Sequence, residues 1–173
     1  LQDTKGNCIF TGHSSRPQEN TQPVLYVRFQ QEFLKAHNDY GAKHGTPPTL
    51  NSELTAAAQA CVNHRLAEEI PKHSDTEDGK NVFTKFSSGS LKLTESGKEA
   101  VDSWYKEIKD YNWNSAGSEG NTGHFTQVVW KDSTELGVGL ATDGKRAVVV
   151  GQYRPAGNMD LPGYFEKNVL PLV

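Results

Sequence analysis

The sequence predicts a single α+β domain, and three observations lead to that prediction. Three stretches in the first two thirds of the chain repeat apolar residues at intervals of three and four, the spacing of one helix face. Two β-branched runs follow residue 135, and Asp143-Gly144, a dipeptide favoured in tight hairpin turns, joins them. A length of 173 residues suffices for one sizeable core. Helices followed by a terminal hairpin are typical of α+β or sandwich architectures.

Residues 1–23 are predicted to form an N-terminal extension, partly flexible, ahead of one domain over residues 24–173. The extension is polar and rich in turn residues, with only a brief apolar patch at Ile9 and Phe10. The helical pattern begins only after it. No internal repeat or low-complexity tract divides the remainder.

Three helices and one early strand are predicted in chain order. The apolar face of the first helix consists of Tyr26, Phe29, Phe33, Ala36 and Tyr40. The second helix follows Asn51 or Ser52 as its N-cap and stops at Pro71. A short strand spans residues 82–86, and the third helix runs over residues 94–111.

Composition excludes two classes of protein. The formal net charge is -3, and no basic stripe runs along the chain, which argues against a nucleic-acid-binding protein. No window approaches the roughly 18 consecutive apolar residues that a membrane-spanning helix needs. A folded, mildly acidic protein is the expectation that remains.

The two cysteines, Cys8 and Cys61, are too few for a disulfide framework or a thiolate metal site. If the protein is exported they could pair and tie the N-terminal extension to the domain. Cys61 also lies among small and apolar residues of the second helix, which favours a buried free thiol. Spacing alone leaves both interpretations open.

Familiar enzyme motifs are absent or degraded. The stretch GLATDGKR, residues 139–146, approaches a phosphate-binding loop, but Arg146 replaces the hydroxyl residue and the segment joins two predicted strands. No G-x-S-x-G or H-E-x-x-H sequence occurs. The known catalytic motifs therefore indicate no particular reaction for this protein.

Three polar residues at the edges of predicted elements form the candidate site: His73, Glu107 and His124. Two neutral imidazoles can bind a transition metal, and a carboxylate can orient an imidazole or complete the coordination. The alternative is that each residue is ordinary, because His73 lies in a polar loop, Glu107 lies between lysines, and a histidine before an apolar run is often structural. Spacing does not decide between them.

Several motifs in the same order resemble the CAP superfamily of cysteine-rich secretory proteins, insect venom antigen 5 and plant pathogenesis-related proteins. They are FLKAHNDYGAKHG, KHS, WYKEIKDYNW, TGHFTQVVWK, GQYRPAGN and YFEKNVLP. The third, fourth and last are most similar to the cysteine-poor, Golgi-associated branch. The resemblance covers about residues 26–171 and implies a three-layer α-β-α sandwich.

The resemblance also implies a central cleft with two His and two Glu. His73 and His124 match the imidazoles that hold zinc or another divalent cation in relatives, and Glu107 matches one carboxylate. The stretch GHFTQVVW resembles the family helix that packs its apolar side chains into the core while turning His124 into the cleft.

Lys80 departs from the family pattern, because relatives carry Glu at this position in a G-E-N motif and this chain reads GKN. An ammonium repels a divalent cation and could pair with Glu107, so we expect weak or absent zinc binding and no required cofactor. The alternative is that a short loop turns Lys80 to solvent, with Asp75, Glu77 or Asp78 partly replacing the missing acid.

The leading functional hypothesis from the resemblance is a non-enzymatic binding protein for sterol, fatty acid or membrane phospholipid. Relatives bind sterol near a loop after the G-E-N region and fatty acid between two helices. The comparable segment here contains Phe83 and Phe86 as candidate lipid contacts, and strand alternation predicts that at most one of them is free.

Two alternative functions remain. One is a hydrolase of the peptidase kind, with His124 as general base and Glu107 orienting it. The other is a secreted immune-modulating or protein-interaction module whose cleft residues are structural. The resemblance allows a homodimer.

The compartment has two candidate assignments. The N-terminal extension and the non-Met start fit a processed, secreted chain. The cysteine-poor branch that this chain resembles is typically intracellular and associated with Golgi or other membranes. We expect secretion, with the intracellular location as the alternative.

Overall fold

The computed structural model describes residues 23–45, 48–67, 79–86, 93–117, 121–143 and 145–173. The predicted extension, apart from its last residue, and His73 lie outside these ranges. In chain order the described elements are α1 (Pro23–His44), β1 (Thr49–Leu50), α2 (Ser52–Ala67), β2 (Lys80–Phe86), α3 (Leu93–Tyr105), a 3₁₀ turn (Lys106–Asp110), α4 (Gly123–Val128), β3 (Glu135–Thr142), β4 (Arg146–Arg154) and α5 (Tyr164–Asn168).

The four described strands form one mixed sheet in the order β1-β3-β4-β2. β3 and β4 pair antiparallel, so the predicted terminal hairpin is confirmed. At its turn, Asp143 Oδ1 accepts the backbone N–H groups of Lys145 and Arg146 at 2.9 and 2.7 Å. These two bonds lower the pKa of the Asp143 carboxyl below its usual value. β1 adds to β3 in parallel, and β2 lies at the edge, antiparallel to β4.

One face of the sheet is covered by α1 and α3. The predicted helix face is confirmed, because Phe29, Phe33 and Ala36 are buried and pack in one cluster with Trp104 of α3 and Val149 of β4. The third helix was predicted to continue to residue 111, but the α-helix ends at residue 105 and a 3₁₀ turn follows. The turn is held by contacts with other elements, so the spacing of apolar residues along the helix could not predict it.

The opposite face is covered by α2, which lies against β3 at backbone contact distance. A Cβ on Gly139 would meet the backbone carbonyl carbon and oxygen of Ala58 at 2.5 Å. The Gln59 side chain hydrogen-bonds to both backbone groups of Leu140: it donates to Leu140 O at 2.9 Å and accepts from Leu140 N at 3.1 Å. Asn51 is the N-cap, since its Oδ1 accepts two backbone N–H groups of the first turn.

Cys61 differs from expectation. It is fully buried, as its small and apolar neighbours predicted, but it is disulfide-bonded. The interpretation as a free thiol is therefore wrong, because the same apolar surroundings accommodate a disulfide sulfur equally well. Cys8, the other cysteine of the sequence, lies outside the described residues.

Helices on both faces of the central sheet confirm the α-β-α sandwich. Side chains alternate across it: Val149 and Tyr153 of β4 belong to the cluster under α1 and α3, whereas Val148 and Val150 pack with Cys61 of α2. Within the described part of the chain, no helix combines the length and apolarity of a membrane span.

Candidate functional site

The first turn of α4 places His124 at the edge of the core. The residues after it anchor the helix, because Phe125, Val128 and Trp130 are all buried. The His124 side chain keeps 26% of its surface exposed. The expected packing of the apolar run into the core is confirmed, and the placement of His124 in a cleft stays a prediction.

Glu107, on the 3₁₀ turn, holds both the ring and the backbone of this helix start. Its Oε2 accepts a hydrogen bond from His124 Nδ1 at 2.9 Å. Its Oε1 accepts the backbone N–H groups of His124 and Phe125 at 3.0 and 3.1 Å. The helix start leaves these N–H groups without partners in the helix, so the carboxylate acts as a cap supplied from another element.

These bonds determine which nitrogen of His124 carries the hydrogen. An ionised carboxylate can only accept, so Nδ1 carries the hydrogen and Nε2 of the neutral ring presents its lone pair. Nε2 is buried and has no hydrogen-bond partner among the described residues. The ring also lies parallel to the Trp104 indole, with 6.4 Å between ring centroids and 9° between planes. His124 is therefore an oriented imidazole with a free acceptor nitrogen.

A buried amide supports His124 from the side of the sheet. Asn81 of β2 is fully buried, and its Nδ2 donates to the backbone oxygen of His124 at 3.0 Å. The same Nδ2 lies 3.4 Å from the hydroxyl oxygen of Tyr153, which is itself 2.7 Å from His37 Nε2. Sequence reasoning missed all three residues. Strand alternation could have found Asn81, since it puts a polar side chain on the inward face of β2.

The family of this fold follows from a comparison with known proteins. The sequence model of the cysteine-rich secretory protein family, CAP, matches residues 34–153. The chain belongs to the CAP family. Human Golgi-associated plant pathogenesis-related protein 1 is 41% identical over 151 residues, which are 83% of this chain and 94% of that protein. Repressed by EFG1 protein 1 of Candida albicans is 33% identical over 165 residues, 86% of this chain and 56% of the fungal protein.

Solved structures agree with this assignment at the level of the fold. The crystal structure of NaASP2 with Zn2+ superposes with a TM-score of 0.64 at 23% identity, covering 84% of this chain and 86% of that one. The structure of BmVAL-1 gives a TM-score of 0.63 at 22% identity, covering 92% and 88%.

The Lys80 side chain of this CAP domain does not lie on the sheet face that holds His124, although the sequence had suggested that it could pair with Glu107 there. It opens β2 opposite Gln152 and is only 7% exposed, so the interpretation that it turns to solvent is wrong. Alternation places its side chain on the face of Val82, which packs toward α2, whereas Asn81 points to the face that holds His124. Glu107 pairs with His124, and Lys80 is not among its partners in the described chain.

The described residues alone do not fit a zinc site. Zinc takes three or four ligands, and no group of three or more His, Cys, Asp or Glu side chains suited to a metal occurs among the described residues. His124 Nε2 could serve as one ligand. Both oxygens of Glu107 already accept hydrogen bonds from His124, so this carboxylate is better suited to orienting the imidazole than to binding the metal directly. His73, the second imidazole expected from the family, lies outside the described residues.

The two candidate lipid contacts separate as alternation predicts. Phe83 is partly buried and packs against the cluster beneath α1 and α3. Phe86, at the end of the same edge strand, is 65% exposed. Phe86 is therefore the one of the pair that is available to a ligand.

A charged groove of about 380 Å³ lies between α1 and α3. Its lining residues are Arg28, Glu32, Glu95, Lys98, Glu99 and Asp102. Two of its carboxylates are paired, Asp102 with Lys98 and Glu99 with Lys85, each at 2.6 Å. The four carboxylates exceed the three cations, which are Arg28 and Lys98 of the lining and the adjacent Lys85, so the groove is mildly acidic. The apolar spacing of the two helices gave no indication of this charge.

Proposed function

We propose that this CAP domain is a non-enzymatic lipid-binding module and that Phe86 contributes to its binding surface. The observation that carries the proposal is the exposure of Phe86 at the end of the edge strand β2, while its neighbour Phe83 is packed. Covering an exposed aromatic ring with an apolar ligand contributes about 1.5 to 3 kcal/mol. Contact with this ring should therefore raise the affinity for an apolar ligand by about one to two orders of magnitude.

The charge of the helix groove selects among lipid classes. A fatty acid bound between α1 and α3 would bring its carboxylate to a groove lined by four acidic and two basic side chains, where negative charge is in excess. Like charges at short range oppose binding. A sterol carries no charge and needs only apolar surface and one hydroxyl partner, so we propose a sterol as the preferred ligand, at the Phe86 end of β2.

Saturable binding of cholesterol tests this function. Phe86→Ser is expected to weaken binding about tenfold or more. Leu172→Ser is the matched control, because Leu172 is 59% exposed and lies in the C-terminal tail, and it should leave affinity within about threefold. Absence of binding to sterol, fatty acid and phosphoinositide by the unchanged protein removes the proposal.

A hydrolase is the second candidate, and the His124–Glu107 geometry favours it. A histidine held by a carboxylate at Nδ1, with Nε2 free to accept a proton, is arranged as a general base. Glu107 would keep the ring in the required tautomer and stabilise the imidazolium that forms. A peptidase screen with His124→Ala as control separates the classes: turnover lost in the variant supports the hydrolase, and cholesterol binding unchanged in the variant supports the lipid module.

We propose an oxidising compartment for the mature protein. The disulfide at Cys61 supports this, since disulfides persist outside the reducing cytosol. Mass spectrometry of protein alkylated without reduction tests it. Two free thiols per chain in protein from its native source would contradict it.

A further inference from the structure

A line of buried polar groups runs along the sheet face beneath α1 and joins this helix to the candidate site. His37 of α1 contacts the Phe33 backbone oxygen through Nδ1 at 2.9 Å and the Tyr153 hydroxyl through Nε2 at 2.7 Å. Tyr153 in turn contacts Asn81 Nδ2, and Asn81 reaches the backbone oxygen of His124. Neither lipid binding at Phe86 nor the Glu107–His124 pair accounts for this line, so its role needs its own explanation.

The direction of every hydrogen bond in the line follows from one carbonyl. The Phe33 oxygen can only accept, so His37 Nδ1 donates to it. Burial lowers the pKa of His37 to about 4, so the ring is neutral near pH 7 and its Nε2 accepts. The Tyr153 hydroxyl therefore donates to His37, and its oxygen is left to accept from Asn81.

The orientation of the Asn81 amide is thereby determined. Both of its acceptor partners, the His124 backbone oxygen and the Tyr153 hydroxyl oxygen, face Nδ2. Its Oδ1 is buried and unpartnered among the described residues. A buried acceptor without a partner lowers stability, whereas Nδ2 satisfies acceptors on α4 and β4. The asparagine is therefore explained by the contacts of its Nδ2, the shorter of which is with His124.

We propose that Asn81 is a positioning residue for His124, holding the first turn of α4 against β2 so that Glu107 keeps its bonds to the helix start. Glu107 fixes the ring and the N–H of His124, and Asn81 fixes the carbonyl of the same residue. His37 and Tyr153 set the direction of the amide from α1. The inference rests on His124 being the working group of the site, as in the second proposed function, but it concerns placement and is measured without a ligand.

Amide hydrogen exchange by NMR tests the inference. In Asn81→Leu, the amides of His124 and Phe125, which bond to Glu107, should exchange about tenfold faster than in the unchanged protein, while the core strand amide of Val149 exchanges as before. Tyr153→Phe removes only the hydroxyl and should give a smaller change of the same sign. The double variant should be less than additive, because both groups belong to one line.

Ser133→Ala is the matched control. Ser133 is also buried and polar, and it bonds to Gln127 and the Pro155 oxygen and not to His124. It should leave the exchange of the His124 and Phe125 amides unchanged.

Unchanged exchange of those amides in Asn81→Leu overturns the inference. If Asn81→Leu does not fold, Tyr153→Phe is decisive: unchanged exchange overturns the inference, and faster exchange confined to these amides supports it. If exchange is faster but neither the unchanged protein nor any variant shows hydrolytic turnover, the hydrolase function is excluded and the positioning role of Asn81 stands.

Discussion

Glu107 and His124 are joined by two hydrogen bonds, one to the ring and one to the backbone of the histidine. One carboxylate oxygen accepts the ring Nδ1–H at 2.9 Å, and the other accepts the backbone N–H of the same residue at 3.0 Å. Ring orientation and helix start are therefore coupled through a single side chain. Changes at Glu107 should affect the chemistry of the site and the stability of α4 together.

Glu107→Ala should lower the free energy of unfolding by about 2 kcal/mol. The carboxylate caps two backbone N–H groups, and the loss of a cap or of charge-assisted bonds costs about this much. Glu107→Gln keeps one oxygen acceptor and should lose about half as much. Urea unfolding measures both. Glu166→Ala, at an exposed position of α5, serves as control and should stay within about 0.5 kcal/mol; an equal loss there would contradict a specific role for Glu107.

Stability should fall as pH drops from about 6.5 to 4, and His37 should account for about 3 kcal/mol of the fall. Burial lowers its pKa from 6.5 to about 4 in the folded state, so the unfolded chain binds the proton first over this interval. The folded and unfolded pKa values differ by about 2.5 units, which at about 1.4 kcal/mol each is about 3.5 kcal/mol in full, and about 3 kcal/mol of it is lost by pH 4.

Urea unfolding at several pH values checks the His37 prediction. In His37→Gln the fall between pH 6.5 and 4.5 should be smaller by about 2 to 3 kcal/mol. Tyr153→Phe keeps the buried imidazole and should retain most of the dependence, since desolvation is the principal cause. A pH profile in His37→Gln that parallels the unchanged protein would refute the assignment.

Gly139→Ala should destabilise the domain by about 3 kcal/mol or more. The added Cβ would lie 2.5 Å from the Ala58 backbone, and a helix backbone cannot move aside as a side chain can. Gly117→Ala is the control, because no atom of the described residues lies within 4 Å of the new methyl group there. Thermal or urea unfolding of the two variants provides the comparison. Equal stability of the two would mean that α2 shifts on the sheet at little cost.

Zinc should bind weakly or not at all. Both Glu107 oxygens are engaged with α4, and among the described residues His124 Nε2 is the nitrogen oriented for a metal. Calorimetric titration of metal-free protein measures the affinity. Tight one-to-one binding that disappears in both His73→Ala and His124→Ala would show the expectation to be wrong.

The predictions from sequence succeeded where local pattern and packing agree. The apolar face of α1 and the hairpin of β3 and β4 follow from local sequence pattern, because one face of each element meets the core. The anchoring of α4 by Phe125 follows from the resemblance to the family helix. Asn51 as N-cap follows from its own side-chain chemistry. The predicted α-helix through residue 111 was wrong at its end, where the chain tightens into the turn that carries Glu107.

By itself the sequence indicated the family, because several family motifs occur in the same order. The layer order and the choice of Glu107 and His124 as site residues followed from that resemblance. Tertiary structure alone decided the face on which Lys80 lies, the bonding of Cys61, and the support of His124 by Asn81. Those features depend on contacts between residues far apart in the chain. Asn81 and His124 are 43 positions apart, and only the pairing of β2 with β4 brings the amide beneath the helix.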